Sequence, residues 1–172
     1  VAVEWARQFP EDFQAMVLIN TSFKGFSPMH ERLWWPAYPK LLKIFLNMHS
    51  HQKRELAVLE MVSNRPANYQ PVSELFASYL LDQPFQVKNF FRQIRAALSF
   101  DPPESLPAKL ALLVINSVQD RMVKPTCSEE IQRRWRCTFL RHPDAGHDLP
   151  LDDPQWLSER IHAWVGSQDS LK

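Results

Sequence analysis

The sequence has 172 residues, about the length of one domain, and its hydrophobic fraction of 45% is enough to build a core. Twenty basic and nineteen acidic residues leave a net charge of +1, and no basic stripe alternates with aromatic residues, which argues against a nucleic-acid partner. The longest uncharged apolar runs, residues 15–23 and 110–118, are shorter than the ~18 residues of a membrane-spanning helix, so we expect no membrane span.

A helix is predicted at the start of the chain. Four apolar residues have i, i+3, i+4, i+7 spacing and would share the face that packs on a sheet: Ala2, Trp5, Ala6 and Phe9. Pro10 would end this helix. Because the chain opens in a helical pattern and without methionine, we expect it to belong to a longer protein.

Two nearly continuous apolar runs predict strands that are buried on both faces. The first, residues 13–22, is followed by the turn-prone pair Lys24 and Gly25. The second, residues 110–118, is followed closely by Asp120, so a carboxylate lies where a buried strand emerges. The order strand, long insertion, strand, helix, strand, helix predicts an α/β fold, the C-terminal part of a mostly parallel sheet.

The insertion between these strands, residues 28–100, is predicted to be helical. Prolines divide it at positions 28, 36, 39, 66, 71 and 84. Three apolar stripes have helical spacing: Leu41, Leu42, Phe45 and Met48; Leu75, Phe76 and Tyr79; and Val87, Phe90, Phe91, Ile94 and Leu98. We therefore divide the chain into a core, residues 1–27 and 101–172, and this insertion.

The two C-terminal helices carry recognisable end signals. Thr126 and Glu129 have the spacing of a capping box at the start of the first helix. Asp153 as the cap, Pro154 in the first turn and Gly166 as the stop delimit the second.

A histidine lies in the loop between the last predicted strand and the last helix. His147 follows Gly146 there, just as Asp120 follows the preceding strand. An acid after one strand and a histidine after the next are the last two members of a nucleophile–acid–histidine triad. We therefore predict that the side chains of Asp120 and His147 meet at one rim of the sheet.

Other aspartates compete with Asp120 as the acid. Asp101, Asp144 and Asp148 are the alternatives, although Asp144 and Asp148 can also cap turns within their own loop. Two further aspartates are interpreted as helix starters: Asp152 and Asp153.

The sequence predicts neither a metal nor a cofactor. The i, i+5 spacing of His142 and His147 puts no two ligands on one face, and the other histidines are interpreted as surface or packing residues: His30, His49, His51 and His162. Cys127 and Cys137 fit neither a disulfide framework nor a metal site, which favours a reducing compartment and a cytoplasmic location.

Aromatic residues open the insertion after the first strand. Trp34, Trp35, Phe23 and Phe26 are interpreted mainly as core residues. In an alternative, Phe26 or Trp34 lines a substrate pocket under the insertion, whose apolar stripes would then favour a lipophilic substrate.

Three segments together resemble the last part of an α/β-hydrolase-fold protein with a helical cap. Residues 1–22 resemble the helix after the nucleophile elbow and the next strand, residues 112–125 the strand and turn that carry the acid, and residues 142–157 the histidine loop and final helix. The resemblance implies a hydrolase that acts on a carboxylic ester or related acyl bond of a small-molecule substrate. Within it, His147 would be the general base and Asp120 would orient the imidazole.

The nucleophile elbow of that family, G-x-S-x-G, has no counterpart here. None of the three glycines flanks a serine in this pattern: Gly25, Gly146 and Gly166. The resemblance would place the nucleophile just upstream of Val1, as serine or as the aspartate of dehalogenases and epoxide hydrolases, and the chain alone would then be inactive. Alternatively, the protein is a non-catalytic ligand-binding or interaction protein that retains the fold.

Overall fold

A parallel sheet forms the centre of the residues that the computed structural model describes, 1–82 and 86–169. Within these ranges, three strands pair in sequence order: β1 (Ala15–Ile19), β2 (Ala111–Ser117) and β3 (Thr138–His142). Because the strands are parallel, the residues that follow each of them meet at one edge of the sheet. The predicted α/β class is confirmed.

The helices follow the predicted order around this sheet. Over the described residues they are α1 (Ala2–Gln8) before β1; α2 (Met29–Arg32), α3 (Tyr38–Leu46), α4 (His51–Val62), α5 (Tyr69–Asp82) and α6 (Val87–Ser99) between β1 and β2; α7 (Thr126–Trp135) before β3; and α8 (Leu149–Asp152) and α9 (Pro154–Asp169) after it. Among the described residues, no helix combines the length and apolarity needed to cross a bilayer. The cytoplasmic location stays a prediction.

β2 is the central strand of the sheet, and its apolar side chains are packed on both faces. Leu112 and Val114 pack in a cluster with α1 and α7, whereas Leu113 and Ile115 pack in a second cluster with α8 and α9. Burying both faces of one strand produces two core layers, which hold the carboxyl end of β2 in place.

The predicted buried face of α1 is only partly right. Val3 and Ala6 are buried against the sheet, whereas Trp5 and Phe9 are exposed. The indole of Trp5 instead donates a hydrogen bond to Asp12 at 2.7 Å, beyond the end of the helix. The helix has seven residues, and the small side chains, rather than the large aromatic ones, provide its close contact with the sheet.

Proline marks most boundaries in the segment between β1 and β2. Pro28 precedes α2. Pro36 and Pro66 lie in short 3-10 helices, whereas Pro39 and Pro71 lie in the first turns of α3 and α5. Pro84 lies outside the described residues. Several side chains of the three predicted apolar stripes are exposed: Leu42, Phe45, Leu75, Tyr79, Val87, Phe91, Ile94 and Leu98.

The predicted capping box of α7 is wrong. Pro125 precedes the helix, and no side chain caps its start. The hydroxyl of Thr126 donates to Glu31 at 3.1 Å, and Glu129 pairs with Arg141 at 3.0 Å. Both side chains are therefore engaged by other elements.

The predicted cap of α9 is confirmed, but its predicted stop is wrong. Asp153 accepts the backbone N–H of Trp156 at 3.0 Å. The helix continues through Gly166 to Asp169. A glycine in a helix costs only about 1 kcal/mol relative to alanine, which packing and the remaining helical hydrogen bonds can offset.

Candidate active site

The carboxylate of Asp120 is fixed in the turn that follows β2. Its Oδ1 accepts the backbone N–H groups of Met122 and Val123 at 2.8 and 2.9 Å. The residue is 1% exposed. With Oδ1 engaged by these amides, Oδ2 points to His147 Nδ1, 2.8 Å away.

His147 combines a buried partner with an accessible ring. Its side chain is 25% exposed, against 2% for that of Asp120. A carboxylate can only accept a hydrogen bond, so Nδ1 is the donating nitrogen of this pair. Nε2 is then the ring nitrogen that can take up a proton from a neighbouring group.

Asn20 ties the backbone of His147 to the ends of β1 and β2. It is buried and has a left-handed backbone (φ 49°), which asparagine tolerates better than most residues. Its Nδ2 donates to the carbonyls of Gly146 and His147 at 3.2 and 2.7 Å, and to Ser117 Oγ at 3.0 Å. Its Oδ1 accepts the N–H of Ser117 at 2.7 Å. Asn20 was not predicted as a site residue, because its only signal in the sequence is an amide directly after an apolar run.

Gly146 is required by a close backbone approach. A Cβ added there would lie 2.6 Å from the carbonyl oxygen of Val62 and 3.1 Å from the nitrogen of Asn64. One residue after His147, the N–H of Asp148 donates to the same Val62 carbonyl at 2.8 Å. The end of α4 therefore packs directly on the histidine loop.

Asp152 does not start a helix, contrary to the prediction. It is the last residue of α8 and is buried. Its carboxylate accepts the hydroxyl of Ser63 at 2.5 Å and the N–H groups of Asn64 and Gly146 at 2.8 and 2.6 Å. Three donors satisfy a buried charge that would otherwise be costly.

The competing aspartates have other partners. Asp101 pairs with Lys24 at 3.0 Å and Asp144 with Arg65 at 3.3 Å, and both carboxylates are largely exposed. Asp148 precedes α8 without a capping hydrogen bond from its side chain. Of the four candidates, Asp120 is the one that the structure brings to His147.

His142 has a packing role. Its Nδ1 accepts the N–H of Ala145 at 2.9 Å, and its Nε2 lies 3.2 Å from Asp153 Oδ2. The hydrogen bond from the Trp156 backbone, together with His142, lowers the pKa of Asp153. Within the described part of the chain, no three His, Cys, Asp or Glu side chains are grouped so that they could hold a metal ion.

The two cysteines are poor candidates for a nucleophile. Cys127 is fully buried and Cys137 partly buried. Burial raises the pKa of both thiols, which disfavours the reactive thiolate.

The two aromatic pocket candidates lie in different surroundings. Phe26 packs edge-on against Trp135 at 5.3 Å, with the guanidinium of Arg134 over its ring at 4.5 Å. Trp34 donates its backbone N–H to the carbonyl of Met122 at 2.8 Å, in the turn that carries Asp120. A substrate pocket formed by either residue stays a prediction.

Solved structures that are similar to this chain in three dimensions include several hydrolases. 2-Hydroxy-6-oxo-6-phenylhexa-2,4-dienoate hydrolase from Rhodococcus sp. strain RHA1 is 16% identical with a TM-score of 0.64, over 93% of this chain and 58% of the hydrolase. For a thermophilic esterase from Thermogutta terrifontis the identity is 20%, the TM-score 0.59 and the coverage 97% and 61%. For an α/β-hydrolase-fold protein from Chitinophaga pinensis the values are 13%, 0.61, 95% and 60%.

The chain spans about three-fifths of the length of these proteins. No protein-family model matches the sequence, and a search of curated proteins finds no match. The likeness in three dimensions covers nearly the whole chain and agrees with the resemblance in the three sequence segments. The chain therefore has the α/β-hydrolase fold.

Proposed function

We propose that this chain supplies the acid and the base of a hydrolase that cleaves carboxylic esters or related acyl bonds. Asp120 is the acid and His147 the base. The nucleophile, a serine, comes from residues that precede Val1 in a longer protein. The observation that carries this proposal is the 2.8 Å contact between Asp120 Oδ2 and His147 Nδ1 at the carboxyl edge of the parallel sheet.

The geometry of the pair suits general acid–base catalysis. His147 takes the proton of the nucleophile at Nε2 while Nδ1–H remains bound to Asp120. The imidazolium that forms is stabilised by the buried carboxylate, which two backbone amides prevent from turning away. His147 then delivers the proton to the leaving group. Such proton transfer contributes typically ~10²–10⁴-fold to the rate.

The segment between the strands, residues 28–100, is the cap of this enzyme, and residues 1–27 and 101–172 belong to its core. Two contacts support this division. Residues 62–64 pack on the histidine loop, and the backbone of Trp34 binds the turn after Asp120. The exposed apolar side chains of α3, α5 and α6 favour a lipophilic small-molecule substrate.

The names of the structural relatives support the same reaction class. Two of them are described as a hydrolase and an esterase. This chain spans only about three-fifths of the length of these proteins, which is consistent with a nucleophile that lies outside its residues.

The test begins with the sequence upstream of Val1, where we expect G-x-S-x-G. The full-length protein should hydrolyse short p-nitrophenyl esters and react with a fluorophosphonate label. Both activities should fall by several orders of magnitude in D120N or H147Q. The control variant, H162Q, changes an exposed histidine of α9 and should keep both.

The label also distinguishes the kinds of nucleophile, because a fluorophosphonate phosphonylates a serine hydroxyl. Hydrolysis without labelling would favour an aspartate nucleophile. A folded full-length protein that neither hydrolyses esters nor reacts with the label would overturn the proposal and favour the non-catalytic ligand-binding alternative. Full activity of H147Q would also overturn it.

A further inference from the structure

One buried aspartate joins the histidine loop to the end of α4. Asp152 Oδ2 accepts the N–H of Gly146 at 2.6 Å, on the residue directly before His147. The same oxygen accepts the N–H of Asn64 at 2.8 Å, and Oδ1 accepts the hydroxyl of Ser63. Gly146 belongs to the loop and the other two donors to the segment after α4. The carboxylate therefore bridges two parts of the chain that are distant in sequence.

The backbone around His147 is thus held from two sides. Asp152 accepts a hydrogen bond from the N–H of Gly146, and Asn20 donates hydrogen bonds to the carbonyls of Gly146 and His147. These two side chains are buried, 8% and 4% exposed, so little water is available to replace either bond. Because the backbone before and after the histidine is fixed, its ring is directed to Asp120.

The end of α4 and the residues that follow it, 62–65, are also bound to the turn that carries the acid. Asn64 Nδ2 donates to the carbonyls of Gln119 and Asp144, each at 3.1 Å. Arg121 donates to the carbonyl of Ser63 at 3.0 Å. The same few residues therefore touch the loop after β2 and the loop after β3.

We propose that Asp152 is a positioning residue for His147, and that through it the placement of the histidine depends on residues 62–65 of the cap. The proposal rests on the function proposed above for Asp120 and His147. Asp152 does not touch the reacting atoms. Its effect on the reaction comes from holding the Gly146 N–H, and Ser63 and Asn64 hold Asp152 in turn.

The adjacent aspartate provides a matched control. Asp153 has the same side chain, caps α9 at Trp156 and contacts His142, but has no hydrogen bond to Gly146. D153A therefore removes a neighbouring carboxylate with its structural contacts and leaves the bridge intact. D152A removes all three acceptor contacts, and D152N removes the charge but keeps one acceptor oxygen. S63A removes the hydroxyl bond to Asp152 and the acceptor of the Arg65 N–H at 3.0 Å, while the Asn64 N–H still donates to Asp152.

The experiment compares these variants in the full-length protein by ester kinetics and by the downfield NMR proton on Nδ1 of ¹⁵N-labelled His147. We expect D152A to lower kcat on the order of 10²-fold, because a small misplacement of a catalytic group is that costly. KM should change little, and the Nδ1 proton signal should be lost. D152N and S63A should lie between D152A and the wild type, while D153A keeps kcat and the signal.

Two results would overturn the proposal. In the first, D152A folds and matches D153A in kcat and in the Nδ1 signal. In the second, D152A does not fold, and D152N, at equal thermal stability, equals D153N in both measurements. A wild-type protein without esterase activity would instead remove the proposed function, and the His147 signal in the same variants would still decide whether Asp152 positions the ring.

Discussion

The side-chain amide of Asn20 donates a 2.7 Å hydrogen bond to the backbone carbonyl of His147, across 127 positions of sequence. This bond connects the end of β1 with the loop after β3, past the end of β2. The amide also meets Ser117 at the end of β2, so a side chain that follows β1 contacts both the end of β2 and the loop after β3. The positions of these strand ends therefore determine where the histidine lies.

We expect N20D to destabilise the full-length protein by about 1–3 kcal/mol, the usual cost of leaving buried polar groups without partners. The new carboxylate keeps the acceptor for the Ser117 N–H but turns an oxygen toward the carbonyls of Gly146 and His147. Urea unfolding measures the change. The control N89D alters an exposed asparagine of α6 and should have little effect, so equal stability of the two variants would contradict the role of Asn20.

We expect G146A to be destabilising by about 1–3 kcal/mol, as is typical for atoms inserted into a packed site. Its Cβ would meet the backbone oxygen of Val62 at 2.6 Å, and backbone yields less easily than a side-chain end. G166A provides the control, because nothing lies within 4 Å of its Cβ position in α9. Alanine there should stabilise by about 0.5–1 kcal/mol. A G146A protein as stable as G166A would refute the close approach.

The stability contributed by Asp153 should depend on pH. The backbone N–H of Trp156 and the His142 side chain lower its pKa in the folded protein. Its contribution is therefore fully present above the unfolded pKa of about 3.9 and is lost as the pH falls through the lower folded value. Melting temperatures of wild type and D153N should converge as the pH is lowered below about 4. A difference that stays constant from neutral to acidic pH would contradict this assignment.

The 172-residue chain by itself should associate or aggregate. Within the described residues β1 pairs on one side only, and large apolar side chains of α3, α5 and α6 are exposed. Unpaired strand edges and broad apolar patches promote association. Size-exclusion chromatography with light scattering tests this, with the full-length protein as the control. A monodisperse monomer that melts cooperatively would disprove the prediction.

The meeting of Asp120 and His147 could be predicted from the sequence because each residue lies in the loop that follows a strand, Asp120 after β2 and His147 after β3. An apolar run identifies β2, and parallel pairing brings the residues that follow neighbouring strands to one edge of the sheet. Beyond the apolar run of β2, the prediction needs only that β3 lies beside β2 and that a helix connects the two strands. This local pattern is stronger than any single motif in the chain.

The supports of the histidine could not be inferred in the same way. Asp152 binds backbone N–H groups that lie 6 and 88 positions away, and backbone donors carry no residue-type signal. Thr126 and Glu129 failed as a capping box because Glu31 and Arg141, from other elements, bind them instead. Tertiary contacts override local patterns in both cases.

The tight contact between Gly146 and the end of α4 constrains any exchange of helices between proteins of this fold. A transplanted segment between β1 and β2 that follows a different path at residues 62–65 would clash with the backbone of the histidine loop and would displace it. A chimera should therefore take residues 62–65 and residues 144–152 from the same parent protein.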